Sequence, residues 1–450
     1  SRRRHTRYGT VTGVQTCSSD LEKTNLYLIL GYLIILMAGP FGWFFLADEL
    51  KFEHQVLLFC WLLTSSFFFP QLSSESTLRR MGIPIALTNG ILLRILLIHA
   101  PSFYEDDFHR YIVEGHAYSN GLDPYVVSVE EYGQTVRSQS DTLTIEERRE
   151  LNEHIKQAGY SWLSAIYPPL IIHWFSLAKN LLNLGYLTLV LELLILGICW
   201  FIIPDKNKYL LLLWLIHPLI LMEGYLNKHY DILIGLCVLI CLGCRLKKWY
   251  KLAGCAIALA IHMKGYALIF LPFFQKRIIW SALITLGILE VISYLWFPTR
   301  FDSGSSMGLF LSIWEFNNGI FTGCRIIAQN FWDSQTATLY LRILFMAFMG
   351  FGLIWLYQCQ HQVSISPFIL VTLLFILFSP VVNPWYLLMS IPFFIFENKT
   401  ARHWYLLSPC ALYYFLFLSG DPLKALIVTT PATLLILALS LYKKQNTNPE

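Results

Sequence analysis

The stretch GIPIALTNGILLRILLIHA, residues 82–100, runs directly into PSFYEDDFHRYIVEGHAYSNGLDPY, residues 101–125. As a helix, the first segment is apolar over nearly the length that crosses roughly 30 Å of hydrocarbon. The second segment places many acidic and basic side chains immediately beyond that helix. A span that ends in a dense group of ionisable residues predicts a membrane protein whose chemistry lies at the membrane edge.

The composition extends this prediction to the whole chain. Hydrophobic residues make up 56% of the 450 residues and charged residues only 14%, against about a quarter in soluble domains. Further apolar runs lie at 25–46, 54–71, 165–203, 209–222, 231–244, 252–275, 278–297, 337–357, 366–381, 387–397, 403–418 and 423–441. The sequence therefore predicts an all-α polytopic membrane protein with roughly a dozen transmembrane helices.

Basic loops predict the orientation, because Lys and Arg next to spans stay on the cytoplasmic side. These loops lie at 79–80, 206–208, 245–251, 276–277 and 443–444. The polar segments 101–164, 223–231, 298–336 and 381–386 are then predicted on the outer face. For the basic loops to stay on one side, the run 165–203 must cross the membrane once, although it looks like two helices. The run 252–275 must cross it twice, although it looks like one helix. We therefore expect broken or half-membrane helices in these two runs.

The chain divides into three predicted parts. Residues 1–22 lack the apolar core of a signal peptide, and we expect a non-native or disordered segment there. Residues 23–442 form the transmembrane domain, and 443–450 form a cytoplasmic tail. Within the outer loop, the pattern from Thr144 to Glu147 predicts a capped, short amphipathic helix.

Other composition features exclude some classes of function. The ten cysteines show no disulfide framework and no metal-ligand spacing. The inner-face loops account for the net charge of +4, and no basic stripe indicates nucleic acid as a partner.

The acidic run has two interpretations. Glu105, Asp106 and Asp107 are consecutive at a predicted helix start, where acidic side chains favour the positive end of the helix dipole. A functional site is the other interpretation, because at least one of the three can point into the bundle. The ionisable residues that follow are His109, Arg110, Glu114, His116 and Asp123. Membrane-edge loops rarely carry such a density without a function, which favours the second interpretation.

The segment 106–125 resembles the first outer loop of bacterial polyprenyl-phosphate-sugar-dependent glycosyltransferases of the GT-C class, which are mannosyltransferase-like integral membrane proteins. Four further blocks agree with that family in order: IYPPL at 166–170, HPLILMEGYLNKHYD at 217–231, IHMKGYALIFLP at 261–272 and NPWYLL at 383–388. The chain departs from the family pattern at Val113–Glu114, at Asp123 and at Lys264–Gly265. The resemblance covers residues 80–400 and implies a GT-C type bundle with a large first outer loop that carries short amphipathic helices.

The resemblance also implies an activity. The expected enzyme moves a hexose, with mannose favoured, from a polyprenyl-phosphate donor to a hydroxyl of a glycan, lipid or protein acceptor. Membrane lipids surround it, and the active site lies on the outer face of the bacterial cytoplasmic membrane. The first-loop aspartate of the family is the general base, so Asp107 is the first candidate and Asp106 the second.

The leaving phosphate needs cations, and Arg110 and Lys264 are the candidates. For both, the alternative is a side chain that snorkels to the interface. The side chains predicted to bind substrate are Glu114, Tyr125, Tyr167, Glu223, Asn227, His229, Asp231, Trp385 and Tyr386.

Asn227, His229 and Asp231 alternate, so in an extended turn they would share one side, suited to sugar hydroxyls or a cation. A divalent cation held there with Asp107 is conceivable, although no metal-ligand spacing predicts one. Trp385 and Tyr386 form either a stacking wall for a sugar or part of an interfacial aromatic belt.

Two other classes stay open. A secondary transporter would also have broken helices and membrane charges, but it should have two related halves, and none is visible. A polymerase or flippase for lipid-linked glycans shares the substrate and the membrane, but such proteins usually lack an acidic first-loop cluster of this kind.

Overall fold

The structure is a computed structural model. It describes residues 31, 83–102, 106–138, 143–301, 306, 308–309, 315, 319–361 and 366–397. Several predictions lie outside the described residues: the segment 1–22, the span 25–46 apart from residue 31, the spans 54–71, 403–418 and 423–441, the basic pairs 79–80 and 443–444, Glu105 and the tail 443–450.

The described residues form helices and no β-strand, so the predicted all-α class is confirmed for this part of the chain. The α-helices are α1 Ile83–His99, α2 Asp107–Ser119, α3 Val129–Ser138, α4 Ile145–Gln157, α5 Pro169–Ser176, α6 Leu181–Ile202, α7 Tyr209–Leu215, α8 Asp231–Leu246, α9 Tyr250–Met263, α10 Lys276–Trp296, α11 Gly319–Ala328, α12 Ser334–Cys359, α13 Pro367–Phe378 and α14 Ile391–Glu397. A π-helical segment covers Ile220–Leu226, and 3₁₀ segments cover Asp205–Asn207, Gly265–Phe273, Pro298–Phe301 and Pro384–Ser390.

Three of these helices, α6, α10 and α12, are long and apolar enough to cross a membrane. A fourth span results if α7 and the π-helical segment Ile220–Leu226 count as one bent crossing. Helices α10 and α12 also turn large apolar side chains outward, among them Trp280, Ile284 and Phe351. Such extensive exposed apolar surface is expected to face lipid, as in an integral membrane protein.

The predicted breaks occur in the chain. The run 165–203 forms two helices, α5 and α6, and the run 252–275 divides at Lys264 into α9 and a 3₁₀ segment. The run 209–222, predicted as a single span, is bent by 55° between Leu215 and Ile220. Pro218 lies at this bend, and a proline disfavours helical backbone at the preceding residue.

The centre of the bundle is the region from α7 to α8. Nearly every side chain of α7, of the π-helical segment and of α8 is buried. Helix α8 packs against α6, α9 and the 3₁₀ segment Pro384–Ser390. The polar turn between the π-helical segment and α8 is therefore held inside a tightly packed frame.

The outer loop forms a small helical layer on this bundle. The Thr144 hydroxyl accepts a hydrogen bond from the Glu147 backbone N–H, and the Thr144 backbone N–H donates to the Glu147 carboxylate, so the predicted capping box at the start of α4 is confirmed. Helix α2 packs against α4 and α5. At Gly115 a Cβ would lie only 2.5 Å from the Phe175 carbonyl carbon, so glycine permits the close contact between α2 and α5.

Candidate active site

The start of α2 places Asp106 and Asp107 in different surroundings. Asp107 is the first residue of α2 and is partly buried, whereas Asp106 precedes the helix and is exposed. The Asp106 side chain makes no hydrogen bond that caps α2. It lies against Gly159, where a Cβ would come within 2.8 Å of Asp106 Oδ2. Asp106 therefore faces the outer loop, and helix capping does not explain its position.

Asp107 has an unusual charge environment. Burial raises the pKa of Asp107 to about 6, and the Asp106 carboxylate acts in the same direction. The cations Lys264 and Arg110 act against this rise. Asp107 is therefore mostly ionised at neutral pH, yet it is a stronger base than an ordinary aspartate.

Lys264 and Asp231, both within electrostatic reach of Asp107, are bound to each other. Lys264 Nζ donates to the two carboxylate oxygens of Asp231, at 2.8 and 2.9 Å. The Tyr266 hydroxyl donates to the same carboxylate. Because Asp231 begins α8 and Lys264 follows α9, the pair joins two elements and places an ammonium near the start of α2.

Aromatic rings surround this ammonium. Lys264 Nζ lies 4.5 Å from the centre of the Tyr386 ring and 4.9 Å from that of Tyr230, distances at which ring faces attract a cation. The Lys264 side chain is still 19% exposed. Lys264 therefore differs from a side chain that snorkels into water, because it is held in place and still accessible to a ligand.

The predicted residues His229 and Trp385 are in direct contact. Their rings stack with centres 3.9 Å apart and planes 14° from parallel. His229 Nδ1 also lies 3.4 Å from the Tyr111 hydroxyl, which links this stack to α2. Tyr111 was not among the predicted site residues, although its position on α2, four residues beyond Asp107, was sufficient to suggest it.

Tyr167 packs against the rings of Tyr111 and Tyr230, and Tyr125 contacts the backbone of Tyr167. The Tyr167 ring meets Tyr111 edge-on at 5.2 Å and Tyr230 at 5.6 Å. The Tyr125 hydroxyl donates to the Tyr167 carbonyl oxygen at 2.5 Å. Tyr125 thus positions the chain at Tyr167.

The extended turn predicted for 227–231 is wrong. Asn227 and Tyr230 have helical backbone, and Lys228 between them has a left-handed φ of +59°. The alternating side chains therefore reach different partners: Asn227 donates to Glu223 at 3.2 Å, His229 stacks on Trp385, and Asp231 binds Lys264. Glu223 is fully buried, and no described residue makes a hydrogen bond to its Oε1.

The contacts of Arg110 indicate a structural role in place of the predicted binding of phosphate. Its Nε and Nη2 donate to Glu114 Oε1, at 2.9 and 2.6 Å. The two terminal nitrogens donate to the carbonyl oxygens of Gly159, Tyr160, Leu163 and Ser164. Every guanidinium nitrogen therefore has a protein acceptor, and Glu114 serves as the counter-ion of Arg110. Together they hold the loop after α4 against α2.

A divalent cation finds little support within the described residues. No three His, Cys, Asp or Glu side chains among them converge as a metal site. At Asp231, the strongest candidate ligand, the Lys264 ammonium occupies the position of a cation.

Sequence reasoning missed a buried ion pair between α1 and α6. Arg94 donates to Glu192 at 2.5 and 2.8 Å, and both side chains are 0% exposed. Trp214 donates to the same carboxylate at 2.7 Å, and the Tyr225 hydroxyl also donates to it. A single arginine in the run 82–100 and a single glutamate in 165–203 were the available indication, because ionisable residues inside spans need partners.

A scan against protein-family models, a search of curated proteins and a search of solved structures each found no match. The geometry of the side chains and the resemblance of the sequence blocks are therefore the basis for a functional proposal.

Proposed function

We propose that the protein is an integral membrane glycosyltransferase of the GT-C type. It moves a hexose, with mannose the first candidate, from a polyprenyl-phosphate donor to an acceptor hydroxyl on the outer face of a bacterial cytoplasmic membrane. The spans predicted outside the described residues would complete a bundle of roughly a dozen helices. Glycans, lipids and proteins are all acceptors of the required chemistry.

One observation carries this proposal. Residues from blocks far apart in the sequence lie together: Asp107 of α2, the Asp231–Lys264 pair, and the rings of His229 and Trp385. The group combines a carboxylate with a raised pKa, an ammonium that is 19% exposed and two rings stacked on each other. The carboxylate and the ammonium are the components that transfer of a sugar from a phosphate requires: a base for the acceptor and a cation for the leaving group.

The proposed reaction uses Asp107 as the general base. Asp107 accepts the proton of the acceptor hydroxyl while that oxygen forms a bond to the anomeric carbon of the sugar. The bond from this carbon to the phosphate oxygen breaks, and its electron pair leaves with the lipid phosphate. Lys264 stabilises the charge that develops on this phosphate, and Asp231 and Tyr266 hold Lys264 in position.

A donor panel tests the function. Purified protein in detergent is given an acceptor extract and a series of polyprenyl-phosphate hexoses, and the release of free polyprenyl phosphate is measured. We expect release with at least one donor, and mannose is the first candidate. If no donor is cleaved, and the protein in liposomes instead exchanges a labelled solute by counterflow, the proposal is wrong and the chain is a transporter.

A further inference from the structure

Three cationic side chains are buried in the part of the chain that the structure describes: Arg94, Arg110 and Lys228. Two of them are bound to a carboxylate, Arg94 to Glu192 and Arg110 to Glu114. Lys228 differs, because no described carboxylate lies within ion-pair distance of it. A buried charge without a counter-ion is costly, and proteins rarely keep one without a reason.

The contacts of Lys228 leave part of its bonding capacity unused. Its Nζ donates to the carbonyl oxygens of Leu226 at 3.2 Å and Ala100 at 3.5 Å, the second at the limit of a hydrogen bond. An ammonium has three donors, so at least one lacks a strong acceptor among the described residues. Burial lowers the pKa of Lys228 to about 8, and the group therefore still carries most of its charge at neutral pH.

The backbone at Lys228 is also unfavourable. Its φ of +59° is in the left-handed region, which costs on the order of 1 kcal/mol for a residue other than glycine. Lys228 therefore combines a buried charge that has no described counter-ion with a strained backbone.

Its location connects Lys228 to the candidate active site. Lys228 Nζ lies 5.9 Å from the centre of the Phe108 ring, and Phe108 directly follows Asp107 in α2. The residue belongs to the turn that also carries His229 and Asp231. The ammonium thus lies where the end of α1, the start of α2 and the start of α8 meet.

We propose that Lys228 binds the phosphate of a polyprenyl-phosphate lipid. A phosphate oxygen there would supply the missing counter-charge and accept the unused N–H in a charge-assisted hydrogen bond. The choice of a polyprenyl carrier as the source of the phosphate rests on the proposed function. Lys228 would bind the phosphate of the carrier before the reaction. Lys264, whose charge Asp231 already balances, would stabilise the charge that develops on the phosphate as the sugar leaves.

A binding measurement without any sugar tests this proposal. The full chain, purified in detergent, is titrated with a polyprenyl monophosphate and separately with the uncharged polyprenol of the same length. We expect Lys228→Met to weaken binding of the phosphate about tenfold or more and to leave binding of the polyprenol unchanged. Lys228→Arg should retain most of the affinity, because it keeps the charge.

Two further variants control for folding and backbone strain. Lys248 has nearly the same backbone, with φ +61°, but is exposed, so Lys248→Met should bind as the parent does. Lys228→Gly fits the left-handed backbone, folds without the strain and should lose phosphate binding like Lys228→Met.

Several outcomes would overturn the proposal. One is equal affinity of Lys228→Met and the parent for the phosphate; another is an equal loss for the phosphate and for the polyprenol, the mark of a purely structural lysine. Competition by phosphatidylglycerol vesicles as strong as by polyprenyl phosphate would assign the site to ordinary lipid headgroups and overturn the choice of carrier. Because no sugar is present, this test can fail while sugar transfer is intact, and it can succeed while transfer is absent.

Discussion

Asp107 and Asp106 are adjacent in the chain, and burial raises the pKa of both, but the surroundings of Asp107 suit the proposed base better. It lies within electrostatic reach of Lys264 and Asp231, while Asp106 is exposed and lies against Gly159. The backbone explains the difference, because Asp107 is the first residue of α2, whereas Asp106 precedes the helix with φ −125° and ψ −8°. One of two identical side chains therefore turns toward the bundle and the other toward the outer loop.

The pH dependence of transfer follows from the raised pKa of Asp107. We expect kcat/KM to fall as the pH drops through about 6, because the protonated carboxyl cannot accept the proton of the acceptor. An ordinary aspartate would place this fall near pH ~4. The initial rate of transfer is measured at a series of pH values from about 4 to neutral.

Asp106→Asn is the matched control for this pH profile. It removes a negative charge that raises the pKa of Asp107, so the fall in activity should move to lower pH while the rate at neutral pH stays similar. A profile that is identical in Asp106→Asn and the parent would contradict the assignment of the titrating group to Asp107.

At the scale of the elements, the contact between α2 and α5 sets the position of the candidate base. We expect Gly115→Ala to destabilise the protein by about 1–3 kcal/mol and to lower activity, since the added methyl group meets backbone atoms of Phe175 that cannot rotate away. Gly197 in α6 has no described atom within 4 Å of the corresponding Cβ position, so Gly197→Ala is the control and should lower neither the stability nor the activity. The apparent Tm and the rate of transfer are measured together, and an undisturbed Gly115→Ala would show that α2 is not held by this contact.

The Arg94–Glu192 pair joins α1 to α6, and Trp214 and Tyr225 bind the same carboxylate. Glu192→Gln leaves a buried guanidinium without its counter-ion, so we expect a loss of roughly 3–5 kcal/mol, seen as a lower apparent Tm. The double variant Arg94→Met, Glu192→Met should recover much of it. Glu146→Gln, at a side chain that is 84% exposed, is the control, and a Glu192→Gln protein as stable as this control would contradict the structural role.

Local patterns predicted the all-helical class and some helix boundaries, and contacts distant in sequence could not be predicted in the same way. The Thr144–Glu147 capping box is a local pattern and was correct, and so was the division of the run 165–203. Besides Glu114, the partners of Arg110 are four backbone carbonyl groups 49–54 residues away, and every residue has such a group, so the sequence does not single them out. The π-helical segment and left-handed Lys228 were missed for a related reason, because packing around the turn overrides the local preference for a regular helix.

At the scale of the whole molecule, the predicted orientation determines which side of the membrane the candidate site faces. Cysteine introduced at Gln134, exposed on α3, should react with a membrane-impermeant reagent in intact cells, whereas one at Lys248, exposed after α8, should not. The basic loop 245–251 is the physical reason, since loops rich in Lys and Arg next to spans are expected on the cytoplasmic side. Labelling at Lys248 without labelling at Gln134 would reverse the orientation.

The central claim, that Asp107 serves as the base in sugar transfer from a polyprenyl phosphate, is tested most directly by comparing the parent protein with Asp107→Asn in one transfer assay. The variant keeps the size of the side chain but loses its basicity. We predict a rate of transfer at least about a hundredfold lower, with unchanged binding of polyprenyl phosphate and an apparent Tm at pH 7 that is no lower, because a carboxylate with a raised pKa contributes stability only at low pH. Transfer by Asp107→Asn at the parental rate would contradict the account.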